Sequence, residues 1–245
     1  MCFLGLMRRS GRYSTERARS LGIEALSTLR EVVLSPFDIA PVLPNVKRGD
    51  DLVVLVHGFC ASAGVFRPMR QQLEAQTGAS VATFTHLPGA GVKRIALSLA
   101  RIVDRIPKGV NIHLVGHSLG GLVARWYVQE LGGHARVAQT ISLAAPFGGA
   151  PAAHAFPWLV GADLRPSSSV LERLRAGATP DVPHTSIMGT EDRVVFPIDS
   201  ASFHHGERIV LHGRGHNSLL FDPEVHRIIS GCIVRTADSE LGRTG

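Results

Sequence analysis

The feature that most constrains the fold is an alternation of short apolar runs with amphipathic segments from residue 52 to residue 229. Helical patterns of about 10–15 residues separate several of these runs, and that alternation forms right-handed β-α-β units. It predicts a mostly parallel central sheet in an α/β fold, with helices on both faces. The predicted strands are Leu52–Val56, Ser80–Thr85, Asn111–Val115, Val137–Leu143, His184–Met188 and Arg208–His212.

Helices are predicted between these strands and at both ends of the chain. Near the amino terminus, between Ser14 and Ser35, five apolar residues recur at helical spacing (Ala18, Leu21, Ala25, Leu29 and Val32). This helix packs on the domain, forms a partly frayed leader, or turns its basic face to anionic lipid. The other predicted helices are Phe66–Gln76, the segment around Ile95–Ile106, Leu119–Leu131 and Pro223–Ile229. We therefore expect a helical extension over 1–40, one domain over 41–235 and a tail over 236–245.

Composition excludes several classes of protein. The chain has 245 residues, of which 44% are hydrophobic, and no apolar run has the roughly 18–20 residues of a membrane helix. Cys2, Cys60 and Cys232 lack the spacing of a disulfide framework or a zinc site. The arginines are dispersed without a nucleic-acid-binding motif, so we expect no nucleic-acid partner. Without a recognisable signal peptide we expect a cytoplasmic or peripheral membrane protein, with secretion from a misassigned start as the alternative.

The segment that carries the chemistry is Gly116-His117-Ser118-Leu119-Gly120, a G-x-S-x-G pattern. It directly follows a predicted strand and precedes a predicted helix, the setting of a nucleophile elbow. Glycines are needed in so sharp a turn, because side chains there would collide with neighbouring backbone. Ser118 is therefore the predicted nucleophile.

A serine nucleophile needs a histidine base and an acid that orients it, and on such elbows the order along the chain is serine, acid, histidine. Loops at the carboxyl ends of strands are where sites form in open α/β sheets. His216 occupies such a loop, whereas the alternatives, His204, His205, His212 and His226, lie before or within predicted elements. Asp192 is the predicted acid, with Glu191 and Asp199 as competitors and a simple turn residue as the alternative interpretation.

Acyl transfer also needs backbone N–H groups that stabilise an oxyanion. The amides of Leu119, after the nucleophile, and of Phe59, in the loop after the first strand, are the predicted donors. His57 is expected to order that loop by hydrogen bonding rather than to exchange protons with substrate.

The long connection over 146–183 breaks the alternation. Connections of this length are often lids over a site, although an irregular surface excursion is an equal alternative. A lid here would bring apolar side chains to an acyl site. The residues predicted to bind substrate are Phe59, His117, Phe147, Phe156 and Trp158.

Together, His57-Gly58-Phe59, the elbow, Gly189-Thr190-Glu191-Asp192 and Gly215-His216 resemble a bacterial lipase or esterase of the α/β-hydrolase superfamily, across about Asp51–Ile229. The resemblance implies an enzyme, a carboxylic ester hydrolase that acts on hydrophobic acyl esters through an acyl-enzyme. It implies no organic cofactor. The sequence has no dense carboxylate loop of the kind that binds calcium, so we expect no metal. The alternatives are an acyltransferase, thioesterase or amidase with the same triad, or a non-catalytic binding module. The substrate is expected to be a small-molecule or lipid ester, with peripheral membrane contact through the amino-terminal helix and the lid.

Overall fold

The computed structural model describes residues 3–151, 153, 160–178 and 180–241. Six parallel strands form one sheet in the order β2-β1-β3-β4-β5-β6, as the alternation predicted. The strands are β1 (Asp51–Val56), β2 (Ser80–Thr83), β3 (Asn111–His117), β4 (Val137–Leu143), β5 (His184–Gly189) and β6 (Glu207–Leu211). The helices are α1 (Phe3–Leu34), α2 (Arg67–Thr77), α3 (Val92–Val103), α4 (Leu119–Glu130), α5 (Ser169–Ala176), α6 (Ser218–Phe221) and α7 (Pro223–Leu241).

Alternating side chains of the central strands divide the core into two layers. In β1, Leu52, Val54 and Val56 pack with α3, α4 and α5 on one face of the sheet. Val53 and Leu55 pack with α2, α6 and α7 on the other face. Burial of both faces explains why β1 is an uninterrupted apolar run from Leu52 to Val56 rather than an alternating one.

The last helix is longer than predicted. We expected it to end at Ile229 and to be followed by a tail from residue 236, but α7 continues to Leu241. The reason is that Cys232 and Ile233, one turn beyond Ile229, are also buried against the sheet. The short helix α6, next to the predicted base, was not predicted at all.

Helix α1 forms where the apolar spacing predicted a helix, but its orientation was not expected. The predicted apolar stripe points to solvent: Leu21, Leu29 and Val32 are 45%, 58% and 64% exposed. The face that contacts the domain is polar. It includes Ser20, Glu24 and Ser27, and Ser27 is buried. Helix α1 therefore packs on the domain, one of the expected alternatives, but it does so through its polar face.

Within 146–183 the structure describes all but residues 152, 154–159 and 179. Its second half belongs to the core, because Val170, Leu171 and Leu174 of α5 are buried there. Asp163 joins the first half to α3, since its carboxylate accepts the Val92 N–H at 2.8 Å. A lid role for this connection stays a prediction.

Candidate active site

The Ser118 backbone has the strained conformation that an elbow requires. Its φ of 51° and ψ of −119° lie in a region that non-glycine residues rarely adopt. The residue lies between the end of β3 at His117 and the start of α4 at Leu119. A β-carbon added to Gly120 would lie 2.0 Å from the Val56 carbonyl oxygen, and one added to Gly116 would lie 2.3 Å from Gly120. The tight crossing of strand, turn and helix therefore needs glycine at both positions.

His216 and Asp192 meet at the carboxyl ends of the last two strands. His216 Nδ1 donates to Asp192 Oδ2 at 2.8 Å, and their side chains are only 7% and 3% exposed. The other oxygen, Asp192 Oδ1, accepts the N–H groups of Val194 and Val195, both at 2.8 Å. The carboxylate is thus held by its own loop with one oxygen directed at the imidazole.

The competing acids do not reach this histidine. Asp199 pairs with Arg208 on the surface, and the Glu191 N–H donates to the Arg214 carbonyl as part of the turn. Among the other histidines, His212 follows β6 and His226 lies within α7, where it contacts Gln72.

Ser118 and His216 line one cavity of about 260 Å³. Its apolar wall includes Phe59, a residue predicted to bind substrate, together with Ala150, Ala153, Leu164 and Val194. His117 also lines the cavity, and its Nε2–H donates to the His216 carbonyl at 3.2 Å. Burial lowers the pKa of His117 well below its ordinary value of 6.5, so this ring is neutral and supports the loop of the predicted base.

Phe147 is placed away from the cavity. Its ring packs against His184 and Phe203, with ring centroids 5.5 and 5.1 Å apart, and it is buried in the core. The prediction that Phe147 binds substrate is therefore corrected, because its ring is used in packing. The predicted substrate contacts Phe156 and Trp158 lie outside the described residues.

The loop with the predicted oxyanion donor passes directly beside Ser118, the predicted nucleophile. A β-carbon added to Gly58 would lie 3.3 Å from Ser118 Cβ. His57 orders this loop, since its Nδ1–H donates to the Gly58 carbonyl at 2.8 Å and its Nε2 accepts the His86 N–H at 3.1 Å. Burial and the nearby His86 lower the pKa of His57 to about 3, so it stays neutral at physiological pH.

Two glutamates of α1 are functional candidates that sequence reasoning missed. Glu24 accepts the N–H groups of Asn217 at 2.7 Å and Ser218 at 3.0 Å, directly after His216. A β-carbon added to Gly215 would lie 2.4 Å from Glu24 Oε2, so glycine there admits the carboxylate. Glu31, two turns further along α1, lines the cavity with Ser118. Their seven-residue spacing places both on one helix face, and it was the sequence pattern that could have indicated a shared role.

The described residues contain no cluster of three or more histidine, cysteine or acidic side chains suited to a metal ion. None of the helices, as far as the structure describes them, combines the length and apolarity needed to cross a membrane.

The sequence pattern of palmitoyl protein thioesterases matches residues 52–174, half of the chain. The chain belongs to the palmitoyl protein thioesterase family. The part matched to this family runs from β1 through the elbow to α5, so Asp192 and His216 lie beyond it. No curated protein matches the chain.

Solved structures of several hydrolases share the fold of this member of the palmitoyl protein thioesterase family. The mature lipase of Bacillus licheniformis superposes with a TM-score of 0.63 at 14% identity, covering 79% of this chain and 97% of the lipase. A metagenomic carboxyl esterase superposes with a TM-score of 0.61 at 17% identity, covering 82% of this chain and 79% of the esterase. A bacterial membrane phospholipase A superposes with a TM-score of 0.53 at 15% identity, covering 96% of this chain and 97% of the phospholipase. The predicted α/β-hydrolase fold, and the resemblance to lipases and esterases, are confirmed.

Proposed function

We propose that the protein is a serine hydrolase that cleaves esters or thioesters of hydrophobic acyl chains. The observation that carries the proposal is the buried Asp192–His216 hydrogen bond beside a cavity that Ser118 also lines. A histidine held in this way by a carboxylate is the base that a serine nucleophile needs. A non-catalytic module would have no use for the arrangement.

The reaction proceeds through an acyl-enzyme. Ser118 Oγ attacks the carbonyl carbon while His216 takes its proton, and His216 then returns that proton to the departing alcohol or thiol. Water, deprotonated by His216, attacks the acyl-enzyme and releases the acid, and Ser118 regains its proton. Asp192 orients the imidazole and stabilises its protonated form.

The amides of Phe59 and Leu119 are the proposed oxyanion donors. Leu119 is the first residue of α4, where N–H groups have no acceptor within the helix. The short approach of Gly58 to Ser118 supports placing the Phe59 amide on the other side of the oxyanion. Each such donor contributes roughly 3–4 kcal/mol to the transition state in other acyl-transfer enzymes.

Oxygen esters and thioesters are the two candidate substrate classes. The esterase and lipase neighbours favour the first only by fold, whereas the family match favours a thioester. Both use the same triad, and transfer of the acyl group to an acceptor other than water is a variant of the second step.

The decisive experiment compares p-nitrophenyl esters from acetate to palmitate with thioesters of the same acyl chains, using the wild type and Ser118→Ala. We expect activity on at least one series, and a loss of at least about a thousandfold in Ser118→Ala with an unchanged fold. The ratio of the two kcat/KM values assigns the substrate class. Undiminished activity in Ser118→Ala, or no labelling of Ser118 by a fluorophosphonate probe, would contradict the proposal.

We also propose that α1 docks on an anionic lipid surface. Its solvent-facing stripe of Leu21, Leu29, Val32 and Val33 is apolar and has no described partner within the chain. The exposed Arg17 is adjacent to it along the helix. An apolar face bordered by arginines is the pattern of a helix that lies in the interface of a bilayer. The lid part of the predicted contact involves residues outside the described ones.

Vesicle co-sedimentation tests this surface. Leu29→Gln combined with Val32→Gln should reduce binding to vesicles containing anionic lipid, and binding of the wild type should weaken with salt. Leu97→Gln is a matched control, because Leu97 is 48% exposed but lies on α3. Equal binding by the double variant would refute this role.

A gel-shift assay with DNA and RNA checks the expected lack of a nucleic-acid partner.

A further inference from the structure

Glu31 places a carboxyl group in the wall of the active-site cavity. The cavity is shared by Glu31, Ser118, His216 and Asn217. Burial raises the pKa of Glu31 above its ordinary value of 4.5, and the nearby His216 opposes that increase. An acidic side chain is therefore partly desolvated within the reach of a bound substrate.

This carboxylate has no hydrogen-bond or ion-pair partner among the described residues. No described lysine or arginine forms an ion pair with it, and no described N–H or O–H group donates to it. Glu24 is the contrast, because its two oxygens accept the amides of Asn217 and Ser218. A partly buried carboxylate without a partner is costly, and a ligand that supplies a positive charge or a donor would offset that cost.

The position of Glu31 is fixed by contacts on both sides of it along α1. Glu24 binds the loop after His216 two turns before it. One turn after it, the chain lies so close to Gly64 that an added β-carbon there would be 2.2 Å from the Leu34 carbonyl oxygen. These two contacts fix the segment of α1 that carries Glu31 against the cavity.

The cavity wall is chemically two-sided. Ala150, Ala153, Leu164 and Val194 are apolar and suit an acyl chain, whereas Glu31 and Asn217 are polar and suit a leaving group. We propose that Glu31 is a specificity-determining residue that favours esters and thioesters whose leaving group carries a positive charge. This inference rests on the proposed hydrolase function and concerns the chemistry of the alcohol or thiol, not of the acyl chain.

The test uses two esters with the same acyl chain and leaving groups of the same shape, choline and its neutral carbon analogue 3,3-dimethylbutanol. At pH 8 and low salt, we expect the ratio of kcat/KM for the choline ester to that for the neutral ester to fall about five- to tenfold in Glu31→Gln. A change of this size is what we expect when one charge–charge interaction, partly screened by solvent, is lost. The wild-type ratio should also fall as salt is raised.

Glu16→Gln is the matched control. It removes the same charge from the same helix, but Glu16 is exposed and about 22 Å from Glu31 along the helix axis. In Glu16→Gln, the ratio of kcat/KM for the choline ester to that for the neutral ester should equal the wild-type ratio. Choline alone should inhibit hydrolysis of the neutral ester more strongly in the wild type than in Glu31→Gln, a readout that does not depend on turnover of the charged ester.

The outcomes separate the two proposals. If the wild type hydrolyses both esters with a ratio that Glu31→Gln and salt leave unchanged, the selectivity proposal is overturned and the hydrolase proposal stands. If the wild type hydrolyses no ester or thioester, the hydrolase proposal fails and this inference falls with it. A Glu31→Asp variant that retains the wild-type preference would support the charge itself as the cause.

Discussion

Glu24, in the amino-terminal helix, accepts the backbone N–H of Asn217, the residue after His216, at 2.7 Å. A helix outside the matched family region therefore anchors the loop that carries the proposed base. Because the same carboxylate also accepts the Ser218 N–H, the contact fixes the backbone on the carboxyl side of His216.

Removing this contact should slow catalysis more than it weakens substrate binding. In Glu24→Ala we expect kcat to fall about 10- to 100-fold with KM changed less than about threefold, since a displaced base acts mainly on the transition state. Glu24→Gln keeps one acceptor oxygen and should recover part of the rate. Steady-state kinetics of both variants, with Glu16→Ala as control, checks this. Equal kcat in Glu24→Ala and wild type would exclude a positioning role.

The two neighbouring acids, Glu191 and Asp192, should behave very differently. Asp192→Asn replaces a charged acceptor by an amide and should lower kcat by roughly 10³–10⁴, because the imidazole loses the group that sets its tautomer. Glu191→Gln should change kcat less than about twofold, as the carboxylate bonded to His216 Nδ1 is that of Asp192. Ester hydrolysis by folded samples gives both values. A Glu191→Gln defect as large as that of Asp192→Asn would contradict the assignment.

Glycine should be essential at position 120 and dispensable at position 22. In Gly120→Ala the new β-carbon would meet the Val56 carbonyl at 2.0 Å, so we expect a loss of several kcal/mol in unfolding free energy or failure to accumulate folded protein. In Gly22→Ala nothing lies within 4 Å, and α1 should gain about 0.5–1 kcal/mol of helix stability. Urea denaturation measures both. A stable Gly120→Ala protein would show that the elbow can relax.

Glu31→Gln should raise stability at neutral pH. Because burial raises the pKa of Glu31 in the folded state, the folded protein loses stability as pH rises from 4.5 through the raised value. Glutamine avoids that loss, so we expect a higher Tm for the variant at pH 7 and a vanishing difference below about pH 4. Thermal denaturation at several pH values is the measurement. A lower Tm at pH 7 would mean that the ionised carboxylate stabilises the fold.

The sheet and the contact between Asp192 and His216 could be expected from sequence because local patterns determine where the strands end. β4 has the predicted bounds Val137–Leu143, since turn residues flank this segment on both sides. Ser118, Asp192 and His216 each follow a strand, and parallel strands bring their carboxyl ends to one edge. That edge is where the structure joins Asp192 to His216.

The contribution of α1 could not be expected, because it depends on contacts between distant parts of the chain. Glu24 and Asn217 are 193 residues apart, and no local pattern indicates their contact. The apolar stripe was also misleading, since apolar helix faces usually pack on the domain and this one faces outward. Phe147 was misassigned for a similar reason: an aromatic residue near a site packs in the core as readily as against a substrate.

The position of β6 at the edge of the sheet has a consequence for heat tolerance. Ser118 follows a central strand, whereas the loop of His216 follows β6, which pairs with β5 alone and has three of its five residues exposed. Edge elements open at a lower free-energy cost than the core around them. Warming should therefore separate base from nucleophile while the interior strands stay paired. Thermal inactivation would precede the loss of secondary structure, and cooling a briefly heated sample would restore its activity.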